Sequence, residues 1–401
     1  MSQPEALDLS IEAMLDAFRA GDDAAAQTLC QRALDAAPQS YVALLLQGVL
    51  HAKRGDYAQA LPWFERATEA DPAQPGAHNN RGNALMALEQ TLAAARAYER
   101  AIELGGAAAH AYTQRGLALH KMAQLAAALA SFERALEIDA QYLPAHFERI
   151  DLLIELARRD DAVVALHLAR AAGGDDQKID FALAALGQEG KAPPRVAAPQ
   201  AYVRELFDRY APSFDAHLTG QLEYRAPGLV VAAVARRVRS GAGPLFDIID
   251  LGCGTGLCAP PLMPFKRTLV GVDLSPKMLE QARARQCYDE VHEAEIVAFL
   301  EVLSAQFDLA IASDVLNYFG DLAAPLAAVH AALRPGGHFV FTVEASEDAA
   351  VVLHRTRRFA HSQAHVMQAA LGYALLEAEG CTLRLQGDLP VAGTVFVLRR
   401  E

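Results

Sequence analysis

Apolar residues in the first half of the chain recur with a period of 34 residues. The stretches WFERATEADP (63–72), AYERAIELGG (97–106) and SFERALEIDA (131–140) share this register, which extends to units starting at residues 7, 41, 75, 109 and 143. In each unit an alanine is followed by a larger apolar residue four places on and by a second alanine seven places on. These positions are Ala26, Ala60, Ala94, Ala128 and Ala162; Cys30, Phe64, Tyr98, Phe132 and Leu166; and Ala33, Ala67, Ala101, Ala135 and Ala169. The spacing predicts a pair of packed helices in every unit.

A period of 34 residues is that of tetratricopeptide repeats, in which a helix pair buries its apolar face only by stacking on its neighbours. The small residue expected in the first helix is Gly48, Gly82 and Gly116 in the middle three units. The outer units have Met14 and Ile150 there, as is typical of terminal repeats. We therefore predict an all-α superhelix with a concave groove over residues 1–175.

Carboxamide side chains are concentrated in the stretch HNNRGNAL (78–85), which the register places in a first helix. Asn79, Asn80 and Asn83 are predicted on the inner face of the groove, followed one unit later by Thr113, Gln114 and His120. Because a carboxamide both donates and accepts hydrogen bonds, it can clamp an extended peptide backbone. The stretch looks like the asparagine-lined repeats of O-linked N-acetylglucosamine transferases. A protein or peptide partner is therefore predicted for the groove.

The same positions in other units are Glu12, Leu46 and Glu148, so a solvated scaffold surface stays open as the alternative. After about residue 173 the repeat ends, and GQEGKAPPRVAAPQ has the Pro, Gly and Ala content of a linker. We predict a linker over 176–200 and a second domain over 201–401.

A glycine-rich loop opens this second domain. The apolar stretch LFDIIDL (245–251) is predicted to be a strand, and the glycine-rich stretch GCGTGL follows it directly. A second strand is predicted at LVGVDL (269–274). Such a strand–turn–helix–strand unit is the usual setting of a nucleotide-binding loop. The glycines are Gly252, Gly254 and Gly256.

The spacing of these glycines selects the nucleotide. Leu257 stands where a dinucleotide fingerprint needs its third glycine, and no Gly-Lys-Ser/Thr ending of a P-loop is present. Asp273, at the end of the second strand, can accept both ribose hydroxyls. Asp250 adds negative charge, which favours an ammonium and a sulfonium over a pyrophosphate. S-adenosyl-L-methionine is the predicted cofactor.

Residues from about 202 to 398 resemble bacterial methyltransferases that are fused to tetratricopeptide repeats and belong to the class I, seven-stranded Rossmann-like group. The matching pieces are LFDRYAPSFDAHL (206–218), LGCGTGLCAPPL (251–262), GVDLSPKML (271–279), ARQCYDEVHEAEI (284–296), ASDVLNYFGDL (312–322) and RFAHS (358–362). With the repeats included, the resemblance covers almost the whole chain. It implies an α/β methyltransferase domain behind the repeats.

The resemblance also implies roles for individual residues. Leu274 and the helix bearing Met278 would pack on the ribose and adenine, Glu295 would accept from the adenine amino group, and the Ile296 backbone would meet the ring. Ser313 and Asp314 would reach the methionine end. The full cofactor-binding set is Asp250, Gly252, Cys253, Gly254, Gly256, Asp273, Leu274, Met278, Glu295, Ile296, Ser313, Asp314, Val315, Tyr202 and Tyr210. An ordinary core position for Met278 and a solvated strand end for Glu295 stay open.

Two local features modify this expectation. Pro260, Pro261 and Pro264 predict that the helix after the loop is shortened or kinked. The segment 201–229 is helical in period and is predicted to cap the cofactor. Its aromatic residues Tyr202, Phe207, Tyr210 and Phe214 would either close on the cofactor or form the seam between the domains.

Methyl transfer from a sulfonium requires alignment of the nucleophile, exclusion of water and, at most, removal of one proton. Tyr318, Glu344 and His361 are the candidates for the acceptor side, and a histidine with an ordinary pKa of about 6.5 is a natural base. A structural role for His361 is the alternative. Since residues 314–317 read Asp-Val-Leu-Asn and not Asn/Asp-Pro-Pro-Tyr, DNA bases and glutamine amides are poor acceptor candidates.

Composition narrows the class of protein further. The chain has 401 residues and a net charge of −13 without a basic stripe, which argues against a nucleic-acid partner. Five scattered cysteines without a C-x-x-C pair predict a reducing compartment and no metal site. No apolar run approaches the length of about 18 residues that a membrane span needs. We expect a cytoplasmic protein with no membrane partner.

The leading hypothesis is an S-adenosylmethionine-dependent methyltransferase whose repeats recruit or present a protein acceptor. One alternative is a small-molecule methyltransferase that uses its repeats for assembly. The other is a scaffold that binds S-adenosylmethionine without turning it over.

Overall fold

The computed structural model describes residues 3–106, 108–187, 197–215, 224–238, 245–347, 350–386 and 389–401. These residues form two compact units, Met1–Asp175 and Asp176–Glu401. Within the described ranges, no helix is both long enough and apolar enough to cross a membrane.

The described part of the first unit is a succession of helix pairs, and each helix packs on the next one in the chain. The first helices of the pairs are α1 (Gln3–Arg19), α3 (Tyr41–Lys53), α5 (Pro75–Ala87), α7 (Ala109–Lys121) and α9 (Leu143–Glu155). The second helices are α2 (Asp23–Ala36), α4 (Tyr57–Ala70), α6 (Thr91–Glu103), α8 (Leu125–Ile138) and α10 (Arg159–Ala171). The predicted all-α repeat fold of this half of the chain is confirmed, and the structure has five helix pairs over the described residues.

Glycine in the first helix makes room for an aromatic ring in the second. A methyl group at Gly48 would lie 2.5 Å from the ring of Phe64, and one at Gly82 would lie 2.5 Å from Tyr98. In the first unit, by contrast, the equivalent residues are Met14 and Cys30, and in the last unit they are Ile150 and Leu166; all four are buried. A larger residue in the first helix thus accompanies a smaller one in the second, which keeps the filled volume nearly constant.

Each turn between paired helices contains one residue with left-handed backbone, again at intervals of 34 residues. These are Gly21, Gly55, Glu89, Ala123 and Ala157, with φ between 55° and 78°. At the third turn Gln90 N–H donates to Leu85 O at 2.8 Å, which satisfies a carbonyl at the end of α5. Glycine adopts this conformation without strain, whereas alanine and glutamate do not.

Glycine should therefore stabilise the turns that lack it. We expect Ala123→Gly to raise the free energy of unfolding by about 0.5–1 kcal/mol, because relief of left-handed strain exceeds the added entropy of the unfolded chain. The matched change Gly55→Ala should lower it by about 1 kcal/mol. Urea denaturation of the full chain measures both values. An equal loss of stability in both variants would contradict this explanation.

The second unit begins with helices and continues with alternating strands and helices. Its helices are α11 (Asp176–Ala185), α12 (Gln200–Tyr210), α13 (Ala226–Val238), α14 (Ala259–Leu262), α15 (Pro276–Ala284), α16 (Ile296–Glu301), α17 (Ala323–Ala332) and α18 (Gln363–Ala369), with 3-10 turns at Ala211–Ser213 and Leu316–Tyr318. Its strands are β1 (Phe246–Leu251), β2 (Lys266–Asp273), β3 (Glu290–Glu293), β4 (Phe307–Ala312), β5 (Leu333–Ala345), β6 (Val351–Leu353), β7 (Phe359–His361), β8 (Tyr373–Gln386) and β9 (Leu389–Arg400).

Seven of these strands form a sheet in the order β3-β2-β1-β4-β5-β9-β8. The first five are parallel, β9 is antiparallel to β5, and β8 is antiparallel to β9. The seven-stranded sheet expected from the resemblance is confirmed. The structure adds a hairpin, β6–β7, whose β7 pairs in parallel with the last residues of β5.

Apolar cores cover both faces of this sheet, as the alternation of strand side chains requires. Ile248 packs in the core that contains Val234 of α13, while its neighbour Ile249 packs in the opposite core, with Leu326 of α17. Parallel strands buried on both faces place the loops at their carboxyl ends along one edge, where ligands of such sheets bind.

The segment 176–200 differs from the predicted linker. Its first residues form α11, which belongs to the second unit. Phe181 of this helix is fully buried, with its ring centroid 5.6 Å from that of Tyr202 and 6.0 Å from that of Phe359. The loss of the 34-residue period marked the end of the repeats and did not mark the end of helical structure. Residues 188–196 lie outside the described residues.

The helix after the glycine loop is short, as its prolines predict. α14 has four residues, with Pro260 and Pro261 at its second and third positions. The predicted cap 201–229 consists, in its described part, of α12, the turn Ala211–Ser213, Phe214, Asp215 and the start of α13. Residues 216–223 of the predicted cap lie outside the described residues.

Candidate active site

The loop after β1 turns on three glycines with left-handed backbone, Gly252, Gly254 and Gly256. A side chain at Gly252 would overlap Val315, and one at Gly256 would lie 2.9 Å from Tyr288. At Gly254 the nearest atom to an added methyl group belongs to the ring of Phe214, 4.0 Å away. Protein packing therefore excludes side chains at two of the glycines, while at the third an added methyl group would fit in ordinary contact with Phe214.

Asp273, at the end of β2, is held directly beside this loop. Its carboxylate accepts the Gly254 N–H at 2.9 Å and the Ser275 N–H at 2.8 Å. Burial raises the pKa of Asp273, while these backbone hydrogen bonds act in the opposite direction. A third backbone hydrogen bond, from Leu274, also acts on this carboxylate. Because two carboxylate oxygens together offer about four acceptor positions, the group can still accept a ligand hydroxyl.

Asp250 lies beneath the loop and is only 1% exposed. Its carboxyl accepts the Tyr288 hydroxyl at 2.7 Å. Burial, reinforced by the charge of Asp273, raises the pKa of Asp250 to about 7, against the lowering effect of the Tyr288 bond. The full negative charge that favoured a sulfonium cofactor in the sequence argument is therefore reduced at neutral pH.

Residues predicted for the ribose and adenine occupy the neighbouring strand ends. Leu274 is half-buried, whereas the side chain of Met278 is fully buried. Glu295 is the N-cap of α16 and accepts the Ala298 N–H at 2.8 Å. Ile296 follows it and is buried, as is Cys253 in the glycine loop, where burial raises the thiol pKa. The N-cap hydrogen bond is sufficient to explain the acidic residue at position 295. Contact of Glu295 with adenine stays a prediction.

At the carboxyl end of β4 the chain makes a tight turn through Asp314, which has left-handed backbone with φ of 59°. Its N–H donates to the Thr342 hydroxyl at 2.8 Å. Its carboxylate accepts from Asn317, from Arg358 at 2.9 Å and from Arg384 at 3.2 Å. The preceding residue, Ser313, is half-buried.

Glu344, at the end of β5, completes a buried group of four charges with Asp314, Arg358 and Arg384. Its carboxylate accepts from Arg384 and lies 3.6 Å from Arg358. Two arginines therefore neutralise two carboxylates at the acceptor end of the sheet. Both acids are therefore held in ion pairs.

His361 and Tyr318 also lie at this end of the sheet, and both are buried. Burial, followed by the neighbouring His365, lowers the pKa of His361 to about 4. Burial raises the pKa of Tyr318 to about 12. The ring of Tyr318 packs edge-on against Phe207 at 5.6 Å and beneath the Arg358 guanidinium. The ordinary histidine pKa on which the predicted base role relied is thus changed by the surroundings.

The predicted cap aromatics separate into two groups. Tyr202 packs on Phe181 and beneath Arg357, at 5.2 Å from the guanidinium carbon, and Tyr210 is 37% exposed. Phe207 and Phe214 instead contact each other, with ring centroids 6.2 Å apart, and reach Tyr318 and Gly254 respectively. For the tyrosines, contact with the cofactor stays a prediction.

Sequence reasoning missed several polar residues of the site. Asp208, Asp215 and Arg285 contact the cofactor loops, and Arg358 and Arg384 neutralise the acidic residues of the acceptor end. Asp208, Asp215 and Arg358 fall inside stretches that carried the family resemblance, which was a usable signal. Arg384 lies on β8, 70 positions from Asp314, and no local pattern marks it.

Comparison with protein families identifies both parts of the chain. Residues 249–339 match the family described as Methyltransferase domain. Residues 12–75, 75–104 and 109–142 match families described as Tetratricopeptide repeat. The chain combines tetratricopeptide repeats with a methyltransferase domain.

Curated relatives of the methyltransferase domain are similar over part of their length. A malonyl-[acyl-carrier protein] O-methyltransferase of Pseudescherichia vulneris is 32% identical over 144 residues, which are 36% of this chain and 54% of that protein. Nodulation protein S of Rhizobium tropici is 32% identical over 152 residues, 36% of this chain and 60% of that protein. The chain thus spans little more than half the length of these relatives.

Among solved structures, the magnesium protoporphyrin IX methyltransferase of Synechocystis with bound S-adenosylmethionine is 17% identical, with a TM-score of 0.40. The alignment covers 53% of this chain and all of that one. A crystal structure of MamA is 23% identical, with a TM-score of 0.38, and the alignment covers 39% of this chain and 92% of that one.

S-adenosylmethionine is the cofactor of the methyltransferase domain, and the residues at the glycine loop fit it. Gly254 leaves room for a methyl-sized group against its backbone, and the Asp273 carboxylate, which accepts the Gly254 N–H, keeps acceptor capacity for a hydroxyl. The half-buried Leu274 offers an apolar surface beside Asp273.

The ionisation of Asp250 gives a test of its surroundings. Its pKa is raised on folding, so its contribution to stability is fully present below the ordinary value near 4 and is lost as the pH rises through about 7. Asp250→Asn keeps an acceptor for Tyr288 and removes this titration. We expect its advantage in melting temperature over the native chain to grow between pH 4 and 7 and then level off. A difference independent of pH, measured by thermal unfolding without ligand, would contradict the raised pKa.

Proposed function

We propose that the protein transfers a methyl group from S-adenosylmethionine to a protein acceptor recruited by its repeats. The choice of S-adenosylmethionine as methyl donor is supported by one contact above all: the Asp273 carboxylate accepts the Gly254 N–H of the glycine loop at 2.9 Å. A carboxylate in this position binds ribose hydroxyls, and the closely turned loop lets the ligand approach the backbone.

The protein's own contribution to this reaction is mainly binding and alignment. When bound, S-adenosylmethionine supplies a methyl group activated by its sulfonium. Asp273 would hold the ribose, Glu295 and Ile296 would contact adenine, and the Ser313–Asp314 turn would border the methionine end. Phe207 and Tyr318 form an apolar wall that excludes water from the acceptor side.

The acceptor end offers no strong side-chain base among the residues singled out there. Asp314 and Glu344 are bound by arginines, the pKa of His361 is lowered to about 4, and that of Tyr318 is raised to about 12. An acceptor that is already nucleophilic at neutral pH suits such a site, because it needs no proton removed. A carboxylate oxygen has this property.

One relative's name describes an O-methyltransferase acting on a malonyl group carried by an acyl-carrier protein. A malonyl group ends in a carboxylate, so that name agrees with the acceptor chemistry proposed for this chain. It also describes an acceptor bound to a protein, which repeats of this kind are suited to recruit.

Side-chain contacts in the repeats single out two of the predicted groove residues. Thr113 is buried and donates to Ala109 O, Asn83 accepts from the Tyr98 hydroxyl, and His120 contacts Glu155 at 2.6 Å. Asn79, Asn80 and Gln114 are half-buried and make no side-chain hydrogen bond to the described residues, and the Asn79 Oδ1 is shielded from solvent. Asn80 and Gln114 are therefore the carboxamides proposed to bind the acceptor backbone.

Transfer of tritium from methyl-labelled S-adenosylmethionine into the protein fraction of a cell extract tests both parts of the proposal. Each lost backbone clamp would weaken acceptor binding by about 0.5–1.5 kcal/mol, so Asn80→Ala with Gln114→Ala should raise the acceptor KM roughly tenfold. Cofactor affinity should not change. The exposed Gln59→Ala, on a second helix, is the matched control.

Label found only in small molecules, at the same rate in the double variant, would instead support a small-molecule methyltransferase with repeats used for assembly. Cofactor binding without any transfer to extract components would support the non-catalytic scaffold.

A further inference from the structure

Polar contacts hold the segment from α12 to Asp215 against two parts of the cofactor site, the glycine loop and the start of α15. The Ser275 hydroxyl, at the N-cap of α15, donates to Asp208 at 2.5 Å. The Thr255 hydroxyl, in the glycine loop, donates to Asp215 at 2.6 Å. We call Asp208, Asp215 and their partners Ser275, Thr255 and Arg285 the cap latch.

Arg285 makes the contact of Asp215 a three-part connection. Its guanidinium donates to the Asp215 carboxylate and, through Nε, to Thr255 O at 2.5 Å. Arg285 also lies 3.2 Å from the position that a methyl group at Gly256 would take. One aspartate of the cap therefore bridges the glycine loop and the C-cap of α15.

The cap segment also covers the space that the cofactor would use. Phe214, the neighbour of Asp215, lies over Gly254, with its ring 4.0 Å from the position that a methyl group there would take. Phe207, the neighbour of Asp208, packs on Tyr318 at the acceptor end. A ligand that reached the Gly254 backbone would contact Phe214, so the ring would block its exit in that direction while the latch is closed.

We infer that Asp208 and Asp215 are positioning residues that keep the cap closed over S-adenosylmethionine, so that opening of the cap latch governs exchange of the cofactor. The inference rests on the proposed cofactor site. Thr255 and Ser275 are fully buried, which gives the latch fixed anchor points. The Asp215 and Arg285 side chains are 39% and 26% exposed, so water screens their attraction and the latch is able to open.

The latch also links the two ligands. Because Phe207 forms part of the wall next to Tyr318, an open cap leaves the acceptor side incomplete. Closure of the cap thus completes the acceptor side as well as covering the cofactor.

Cofactor exchange can be measured without an acceptor. The full chain is loaded with tritiated S-adenosylmethionine and chased with an excess of unlabelled compound, and association is followed in parallel by rapid filtration. In Asp215→Ala we expect both rate constants to rise, with dissociation faster by about tenfold, the effect of losing a charge-assisted hydrogen bond. Asp215→Asn, which keeps an acceptor for Thr255, should lie between this variant and the native chain.

The matched control is Asp308→Asn, which weakens a comparable ion pair with Arg267 and Arg334 at the amino ends of the strands. It should leave both rate constants unchanged. Should Asp215→Ala fail to fold, Arg285→Gln breaks the same latch from α15 and is expected to raise both rate constants in the same way.

A purely structural role for Asp215 predicts a different result. Dissociation would then rise while association fell, because a damaged site binds more slowly, or neither rate constant would change. Either result overturns the inference. The proposed cofactor would still stand, provided that the native chain binds S-adenosylmethionine. Failure of the native chain to bind S-adenosylmethionine would overturn the proposed function itself, and the latch with it.

Discussion

The contact between the Asp273 carboxylate and the Gly254 N–H is the interaction on which the site depends. It joins the end of β2 to the loop that follows β1, and the second carboxylate oxygen joins both to Ser275 at the start of α15. Three chain segments are thereby fixed next to one another at the carboxyl edge of the sheet. The left-handed glycines make this possible, because a side chain at Gly252 or Gly256 would collide with Val315 or Tyr288.

Around this contact the domain separates two chemical environments. The cofactor side combines backbone donors, Asp273 and the partly protonated Asp250, while the acceptor side combines aromatic rings with four mutually neutralised charges. Burial of Asp314, Glu344 and Arg384 is tolerable because each acid meets a guanidinium, including that of Arg358, whose side chain is 22% exposed. As a consequence, these four residues supply no unpaired carboxylate that could act as a base. The proposed reaction depends instead on alignment of an acceptor that is already nucleophilic.

Local and periodic signals in the sequence predicted the repeats, the glycine loop and the short α14, because each depends on residues close together in the chain. The terminal repeats could also be recognised, because Met14 and Ile150 replace the glycine of the first helix. The smaller Cys30 and Leu166 in the second helices compensate for their volume. The buried charges could not be predicted in this way, since Asp314 meets arginines 44 and 70 positions away. The pKa of His361 and the packing of α11 likewise arise from burial, which a single sequence does not reveal.

The identity of the cofactor can be tested by calorimetric titration of the full chain with S-adenosylhomocysteine and, separately, with NAD. We expect saturable binding of S-adenosylhomocysteine at one site and none of NAD, and binding weaker by roughly 2–3 kcal/mol in Asp273→Ala. Asp289→Asn is the control, because Asp289 also accepts a backbone N–H, that of Leu269 at 2.7 Å, before β3 begins. Binding of NAD alone, or equal affinity for S-adenosylhomocysteine in the native chain and Asp273→Ala, would rule out a cofactor site built on Asp273 and the glycine loop.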